Sequence, residues 1–480
     1  MPESPTSLLD QGIAALSAAI ERHDVSPVEI ARASLDRAEA MNGVYNAFIT
    51  ILRDRALRLA KASEERAMAG ARLGELDGVP IAVKDMVDIS GIETTNGSAP
   101  GWRSKPRRSA RVVENLERLG AVVIGKTTPH ELGVGIDNNN PHFGPTRNPW
   151  ALDHSPGGSS GGSAVAVALG IVPGSVGTDT GGSIRIPAAA CGLFGLKPSF
   201  GAISTEGVTP IAWSLDHVGP MAARSDDLDA LFRSMADRPA PPADNRMAGL
   251  HRLRVGVPNR YFNERMQATI AGAYEQALRA FQSHGCTVDE VTLPPIADAV
   301  QDAFTLAQVE AAHAHRARIP GRLAELGEDA SAFLRMGGRV AALDYVGAVK
   351  RQTEFRAAMD RCFATVDVLI VPATPALPQP IGASQVSIGN ETEPLFDCMI
   401  RYTCVFNVSG HPALAVPCPV DADGLPVGIQ IVGPVGSESR LLGMAALYEH
   451  VALGDHQARL AELRARVADP VMTANGPGMR

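Results

Sequence analysis

The chain contains few cysteines, and none of them is paired at a spacing typical of metal or redox sites. Six cysteines are spread over 480 residues, with no Cys-x-x-Cys pair and no histidine at zinc-ligand spacing. Free cysteine behaves as a small hydrophobic residue, so we expect buried, reduced thiols. His313 and His315 are two residues apart in a predicted helix and would point to different faces. The sequence therefore predicts no metal site and no cofactor.

Long basic runs and long apolar runs are also missing. Lys and Arg total 44 against 52 Asp and Glu, a formal net charge of −8, so we do not expect direct binding of nucleic acid. No apolar stretch reaches the roughly 18 residues that a membrane-spanning helix needs. The first residues are polar and acidic, unlike a signal peptide. These features predict a soluble, cytoplasmic protein that does not bind membranes.

The first half of the chain shows alternating helix and strand patterns. Residues 26–29 form a capping box with proline at the first helical position, and a second helix is predicted over 53–69. Apolar runs at 79–83 and 121–124 enclose a segment with apolar residues every three or four positions. This strand–helix–strand order predicts an α/β sheet with parallel pairs.

The second half begins with a proline-rich segment, 239–244, that predicts a linker because proline cannot continue a helix or a central strand. The sequence between the next strands is mostly helical in pattern. A turn is predicted at 421–426, and a short polar tail follows residue 468. Strands are predicted at 253–257, 366–371, 413–417 and 427–432.

Two glycine-serine clusters, 156–163 and 177–183, follow an isolated lysine, Lys84, at the end of an apolar run. Glycines beside a serine let the backbone approach a substrate carbonyl and present amide N–H groups to it. A lysine in apolar surroundings can lose its proton and act as a base. Together these elements indicate a serine–lysine hydrolase.

The clusters allow other interpretations, of which a flexible glycine loop is the simplest. The first cluster has Ser163 where a phosphate-binding P-loop needs lysine, which disfavours a nucleotide site. Gly157, Ser159 and Gly161 match a nucleophile elbow, so an α/β-hydrolase with Ser159 as the nucleophile is a competing hypothesis. An elbow requires a strand directly before the serine, and 148–156 does not have a strand pattern.

Lys84 is followed by two carboxylates, Asp85 and Asp88. A salt-bridged lysine at the end of a strand is therefore an alternative to a catalytic base. Desolvation would favour the neutral amine, and nearby carboxylates would favour the ammonium. The sequence leaves this choice open.

At these residues the chain resembles the amidase signature family. The resemblance covers most of the chain and is weak only between about residues 240 and 395. It implies an α/β fold: a single large domain with a mixed, largely parallel β-sheet covered by helices on both faces. The matching segments are 78–85, 143–149, 156–164, 177–188, 191–198 and 214–221.

The resemblance also implies a division of the chain. One amidase domain would span 1–470 and leave a tail at 471–480. Its parts would be a helical N-terminal scaffold at 1–70, a catalytic signature core at 71–230, a variable segment near the substrate at 240–395, and a C-terminal part of sheet and helix at 396–470.

A Ser-cisSer-Lys triad is implied by the same resemblance, with Ser183 as nucleophile, Ser159 as bridging serine after a cis peptide, and Lys84 as base. The backbone amides of Thr180, Gly181, Gly182 and Ser183 would form the oxyanion hole. Asp179 and Arg185 would hold the loop. Residues expected near the substrate are Gly133, Gly135, Ile136, Asp137, Ile184 and Trp213.

The activity implied is that of an amidase, which would cleave the C–N bond of a small carboxamide or an aryl or alkyl amide through an acyl-enzyme on Ser183. Esters and carbamates would be side substrates. The alternative is the glutamine-hydrolysing subunit of a tRNA-dependent amidotransferase. Segment 202–207 lacks the tyrosine and arginine that we associate with that subunit. We expect a small-molecule amide as the binding partner, and we leave a homodimer open.

Overall fold

The computed structural model describes residues 4–238, 252–419 and 424–468. The predicted linker at 239–244, the first half of the predicted turn at 421–426 and the tail at 471–480 lie outside these residues. Within them, no helix has both the length and the apolar character needed to cross a membrane. All six cysteines are free, and all but the half-buried Cys362 are buried, as expected.

Strands and helices alternate through most of the chain. The strands are β1 (Phe48–Ile51), β2 (Pro80–Lys84), β3 (Val122–Thr127), β4 (Asn139–Asn140), β5 (Gly144–Pro145), β6 (Gly174–Asp179), β7 (Phe194–Lys197), β8 (His217–Ala222), β9 (Arg254–Pro258), β10 (Thr287–Val291), β11 (Val368–Pro372), β12 (Gln385–Ile388), β13 (Glu391–Pro394), β14 (Ala413–Pro417) and β15 (Gly428–Val432). The helices are α1 (Pro5–Gln11), α2 (Ile13–Glu21), α3 (Pro27–Tyr45), α4 (Arg53–Met68), α5 (Arg111–Arg118), α6 (Gly161–Ala168), α7 (Arg185–Cys191), α8 (Ser225–Met235), α9 (Ala268–Ser283), α10 (Ile296–Ala314), α11 (Ile319–Arg322), α12 (Glu328–Gly337), α13 (Ala342–Cys362), α14 (Leu395–Ile400), α15 (Val405–Ser409), α16 (Glu438–Ala452) and α17 (His456–Ala468).

The N-terminal helices follow their sequence signals. The Ser26 hydroxyl accepts a hydrogen bond from the Glu29 N–H, and the Glu29 carboxylate accepts one from the Ser26 N–H. This reciprocal pair satisfies two N–H groups that the first helical turn leaves without partners. The capping box predicted for α3 is therefore confirmed.

Eleven strands form one sheet in the order β1-β3-β2-β6-β8-β7-β14-β15-β11-β9-β10. The predicted α/β class and the mixed sheet are confirmed, including the parallel pair β2–β3. Parallel pairing is confined to β3–β2–β6 and β11–β9–β10, so antiparallel pairs outnumber parallel ones in the described sheet. The centre is antiparallel because β8 runs back between β6 and β7, and β14 and β15 pair as successive strands. Parallel pairing is therefore less extensive than expected.

Helices cover both faces of this sheet. Successive strand side chains point to opposite faces, so Ile81 and Val83 belong to one apolar cluster and Ala82 to another. The first cluster includes α1, α2, α5, α8, α9 and α16; the second includes α3, α6, α7 and α17. The parallel pairing of β2 with β6 brings their carboxyl ends to the same edge of the sheet, where both glycine-serine clusters lie.

Candidate active site

Lys84 is the last residue of β2, and its side chain is completely buried. The parallel register aligns Val83 with Val176 on β6, so Lys84 lies beside the residues that follow Val176. Its Nζ lies 2.7 Å from the Ser159 Oγ and 2.8 Å from the Thr178 Oγ1. Both partners of the amine are thus neutral hydroxyl groups.

The charge of Lys84 depends on its burial. Desolvation lowers the pKa of Lys84 to about 7, although the carboxylates of Asp179 and Asp216 act in the opposite direction. Asp85 forms an ion pair with Lys126 at 2.5 Å instead. Among the described residues, Lys84 makes no ion pair, so the alternative of a salt-bridged lysine is wrong. A neutral amine is accessible near pH 7.

The first glycine-serine cluster approaches Lys84 from the loop before α6. The peptide bond between Gly158 and Ser159 is cis, as the resemblance implies. A Cβ at Gly158 would lie 3.0 Å from backbone atoms of Ile136 and Asn138, so a larger residue would displace that loop. Residues 148–156 form only isolated bridges rather than a strand. The strand that a nucleophile elbow needs is therefore missing before Ser159 in this part of the structure.

The second cluster forms the loop from β6 to α7, and a buried ion pair fixes its shape. Asp179 accepts hydrogen bonds from the N–H groups of Gly182 at 2.8 Å and Ile184 at 3.1 Å. The Arg185 guanidinium donates to both Asp179 oxygens, at 2.9 and 3.0 Å. Both side chains are fully buried. This bracing presents Ser183 at the end of the loop.

Ser183 connects the second cluster to the first. The Ser160 N–H donates to the Ser183 carbonyl at 3.2 Å, so Ser183 lies next to the residue that follows Ser159. Among the described residues, no hydrogen bond holds the Ser183 hydroxyl, and Ser183 lines a cavity. The two serine hydroxyls are not hydrogen-bonded to each other here. The structure therefore joins Lys84 to Ser159 directly and brings Ser183 close through the backbone.

The loop offers fewer free amides than expected. The prediction that the Gly182 N–H is an oxyanion donor is wrong, because this N–H already donates to Asp179. Within the described residues, the N–H groups of Thr180, Gly181 and Ser183 have no hydrogen-bond partner. Thr403 donates to the Gly181 carbonyl at 2.5 Å and fixes the orientation of that peptide. Three amides thus remain available beside the Ser183 hydroxyl.

A narrow cavity, here called the inner cavity, opens at Ser183. Three of the residues expected near the substrate, Gly133, Gly135 and Ile136, line it together with Thr180 and Gly181. The rest of its wall is apolar and comes from several helices and loops: Val134, Ile211, Ala303, Phe304, Ala307, Phe333, Phe396, Ile400 and Cys404.

The other residues expected near the substrate lie elsewhere. Asp137 lines a second cavity beyond Ile136. Ile184 is completely buried and packs against glycines of the sheet, because its side chain points away from the loop's open side. Trp213 is half exposed, and its ring contacts the ring of His313 at a centroid distance of 5.5 Å. Neither Ile184 nor Trp213 lines the inner cavity.

Sequence reasoning missed two of the three phenylalanines that line the inner cavity. Phe304 on α10 and Phe333 on α12 lie in segment 240–395, which carries no recognisable motif. Apolar residues on both helices also pack against each other, and the pattern of a packing face is the same as that of a cavity wall. No feature of the sequence distinguished residues of the cavity wall from residues of the packing face.

Replacing Arg185 with methionine is expected to lower the free energy of unfolding by about 3–5 kcal/mol, because Asp179 would remain buried without its cation. Although burial opposes ionisation, Arg185 lowers the pKa of the Asp179 carboxyl. Urea unfolding would measure the change. Arg279→Met, in an exposed pair with Glu275 at 3.5 Å, is the control and should change stability by less than about 0.5 kcal/mol. Equal effects would contradict the bracing role.

The chain is similar to known proteins over most of its length. The model of the Amidase family matches residues 29–442. A glutamyl-tRNA(Gln) amidotransferase subunit from Methylococcus capsulatus (strain ATCC 33009 / NCIMB 11132 / Bath) is 36% identical over 475 residues, which cover 91% of this chain and 96% of the relative.

Solved structures agree as well. A crystal structure described as an amidase superposes with a TM-score of 0.86 at 32% identity and covers 92% of this chain and 100% of the other. The peptide amidase from Stenotrophomonas maltophilia gives a TM-score of 0.80 at 28% identity, covering 92% and 97% of the two chains. With the match to the family model, these similarities show that the chain belongs to the amidase signature family of carbon–nitrogen hydrolases.

Proposed function

We propose that this protein is an amidase that cleaves the C–N bond of a small amide with an apolar group beside the reacting carbonyl. The observation that carries the proposal is the buried Lys84–Ser159 hydrogen bond, at 2.7 Å, next to a braced loop that presents Ser183 to an apolar cavity. A base, a proton carrier, a free hydroxyl and unoccupied amides lie together there. This set of groups suits acyl transfer to a serine.

In the proposed reaction, neutral Lys84 takes the proton of the Ser159 hydroxyl, and Ser159 takes the proton of Ser183 as the Ser183 Oγ attacks the carbonyl carbon. The carbonyl electron pair moves onto its oxygen, which the free amides of the loop stabilise, each well-placed donor contributing about 3 kcal/mol. As the C–N bond breaks, Ser159 returns a proton to the nitrogen, which is a poor leaving group until it is protonated. Water then attacks the acyl ester and passes a proton to the Ser159–Lys84 relay. The bond between the acyl carbon and the Ser183 Oγ breaks as the relay returns that proton to Ser183, and the carboxylic acid leaves and ionises.

The wall of the inner cavity supports an apolar substrate group. Phe304, Phe333, Phe396 and Ile400 would remove an aryl or alkyl group from water, which is favourable in proportion to the area buried. A charged group there would lose its hydration without gaining a partner. Aryl and alkyl amides are therefore the substrates that fit this wall.

A second candidate function is the glutamine-hydrolysing component of a tRNA-dependent amidotransferase, favoured by relatives named as glutamyl-tRNA(Gln) amidotransferase subunits at 35–36% identity. Glutamine carries an ammonium and a carboxylate, and its carboxylate needs a cation. The described residues that line the inner cavity and the cavity next to it include no lysine and no arginine, and their one basic side chain, His130, is already paired with Asp137 and Asp329. This lining favours the stand-alone amidase.

The experiment that separates the two functions assays the purified chain alone with phenylacetamide, acetanilide, a phenyl carbamate and glutamine. We expect hydrolysis of the aromatic amides, with a kcat/KM above that for glutamine. A clear preference for glutamine would overturn the first function in favour of the second.

The rate of amide hydrolysis is expected to rise with pH through about 7 and then level off. Burial lowers the pKa of Lys84 to about 7; below that pH the protonated amine cannot accept a proton, and above it the lone pair is free. The pH dependence of kcat/KM measures this ionisation in the free enzyme.

His217 provides the control for this profile. Its imidazole bonds the Leu215 carbonyl at 2.7 Å, and burial lowers its pKa well below the usual value, so it does not titrate in this range. A His217→Gln variant should therefore keep the same rising limb. If the limb disappeared in that variant and remained in Lys84→Met, a histidine rather than Lys84 would be the base.

A further inference from the structure

Asp216 lies directly before β8, beside the loop that carries the proposed oxyanion donors. In the antiparallel pair of β6 and β8, the last residue of β6 aligns with the first residue of β8, so Asp216 lies opposite Thr180. The Thr180 hydroxyl donates to the Asp216 Oδ1 at 2.6 Å. The other oxygen, Oδ2, accepts from the N–H groups of Ile211 and Ala212, each at 3.0 Å. All three partners are donors, so the position suits an ionised carboxylate, which can only accept.

The residue that Asp216 holds, Thr180, carries one of the free amides beside Ser183. Asn407 donates from Nδ2 to the Asp179 carbonyl at 2.9 Å. In a planar trans peptide the N–H points away from the carbonyl, so this contact directs the Thr180 N–H away from Asn407. Thr180 lines the inner cavity, and its N–H has no partner within the described residues. The direction of this free N–H therefore depends on Asn407 on one side and on Asp216, through the hydroxyl, on the other.

The charge of Asp216 also acts on Lys84. Two carboxylates, Asp179 and Asp216, favour the protonated form of the Lys84 amine. Arg185 balances Asp179 in a buried ion pair at 2.9 Å. The described partners of Asp216 are all neutral groups. Asp216 thus contributes a negative charge that no cation compensates to the surroundings of Lys84.

The other ionisable groups nearby leave this charge in place. Burial, with a smaller contribution from Glu310 on α10, raises the pKa of Asp216 to about 6, although its three hydrogen bonds act in the opposite direction. His217, the next residue, stays neutral because burial lowers its pKa well below the usual value. Asp85 is paired with Lys126 at 2.5 Å. Above about pH 6, Asp216 is therefore an ionised carboxylate.

We propose that Asp216 is a positioning residue: its carboxylate holds Thr180 so that the Thr180 N–H meets the oxyanion, and its charge keeps the Lys84 amine basic. Asp216 touches no reacting atom in this scheme and acts through the other two residues. The oxyanion forms only as the carbonyl is attacked, so the alignment should raise kcat more than it affects substrate binding. This inference rests on the proposed amidase function and adds a residue to its site.

The Asp216→Asn variant removes the charge and keeps nearly the same shape. With phenylacetamide as substrate, we expect kcat to fall about ten- to a hundredfold with little change in KM, because the new NH₂ group would face a donor. The rising limb of kcat/KM should also move to lower pH, by roughly half to one unit, because loss of a negative charge destabilises the ammonium form of Lys84. A lower kcat with an unmoved limb would indicate a merely structural role and overturn the inference.

Variants of Thr180 test the alignment apart from the charge. Thr180→Val keeps the shape of the side chain, loses the hydroxyl donor and leaves the Asp216 carboxylate in place. We expect kcat to fall about tenfold, with a smaller movement of the pH limb than in Asp216→Asn. Thr180→Ser keeps the hydroxyl and should retain most of the wild-type kcat. Full activity in Thr180→Val would mean that Asp216 does not act through Thr180, and the inference would be wrong.

Asp227→Asn is the matched control for the loss of a buried carboxylate. Asp227 lies on α8 and accepts a hydrogen bond from the Ile13 N–H at the start of α2, at 2.8 Å. Like Asp216, it has a carboxylate bonded to a backbone amide. This variant should keep the wild-type kcat and pH limb. An equal movement of the limb in both variants would show that the position of Asp216 is not special.

Failure of this inference can be told apart from failure of the amidase function. Hydrolysis of phenylacetamide by the unaltered chain, and its loss in Ser183→Ala, tests the amidase function without reference to Asp216. A protein that needs Ser183 but shows the same kcat and the same pH limb in Asp216→Asn keeps the proposed function and contradicts the role of Asp216.

Discussion

Replacing Ser183 with alanine is expected to lower kcat for amide hydrolysis by roughly 10⁴- to 10⁶-fold, because the variant loses the oxygen that would form the acyl ester. The fold should remain intact. No hydrogen bond within the described structure holds the Ser183 hydroxyl, and the loop is braced through Asp179 by the N–H groups of Gly182 and Ile184. Steady-state kinetics would measure the loss, and thermal unfolding would check the fold.

Ser234→Ala is the matched control for this change. Ser234 is also buried, and its hydroxyl bonds only the Ala230 carbonyl of its own helix, at 2.7 Å. That variant should keep its activity. If Ser183→Ala retained activity while Ser159→Ala abolished labelling by a fluorophosphonate, Ser159 would be the nucleophile, as in the elbow hypothesis.

Replacing Lys84 with methionine is expected to lower kcat/KM by about 10²- to 10⁴-fold at neutral pH, which is the usual contribution of a general base. Methionine fills much of the same volume but cannot take the proton from Ser159 or bond Thr178. The rising pH limb near 7 should disappear with the amine. A pH series of kcat/KM on both proteins would measure both effects.

The Lys84→Arg variant distinguishes two roles of Lys84, that of a base and that of a positive charge. Arginine stays protonated at every accessible pH, so it supplies the charge and cannot accept a proton. We expect Lys84→Arg to be as impaired as Lys84→Met. An arginine variant with most of the activity would mean that Lys84 acts by its charge and is not the base.

The positions of the reacting groups could be predicted because they lie in short segments with specific patterns. Lys84 ends an apolar strand, and two glycine-serine clusters follow within about a hundred residues. Parallel pairing of β2 with β6 then brings the ends of these segments together. Local pattern and sheet geometry bring Lys84 and the two clusters together, whereas the roles of Ser159 and Ser183 were implied by the resemblance to the amidase signature family.

Other features depend on contacts that a sequence does not specify. Asp85 could have paired with Lys84 or with any other cation, and only the alignment of β2 with β3 places Lys126 beside it. The sequence predicted the Gly182 N–H to be an oxyanion donor, but in the fold this N–H donates to the Asp179 carboxylate. Phe304 and Phe333 reach the inner cavity from helices without a motif. The antiparallel centre of the sheet likewise depends on how distant segments pair.

The central claim is that the acyl group of the substrate is carried by Ser183. An aromatic amide that acylates quickly can be mixed with the enzyme, quenched in acid within one turnover and digested, and the peptides can be mapped by mass spectrometry. We expect the acyl mass on the peptide that contains Ser183, and its absence in Ser183→Ala. An acyl group on Ser159 or on a cysteine, or turnover with no adduct at Ser183, would contradict the account.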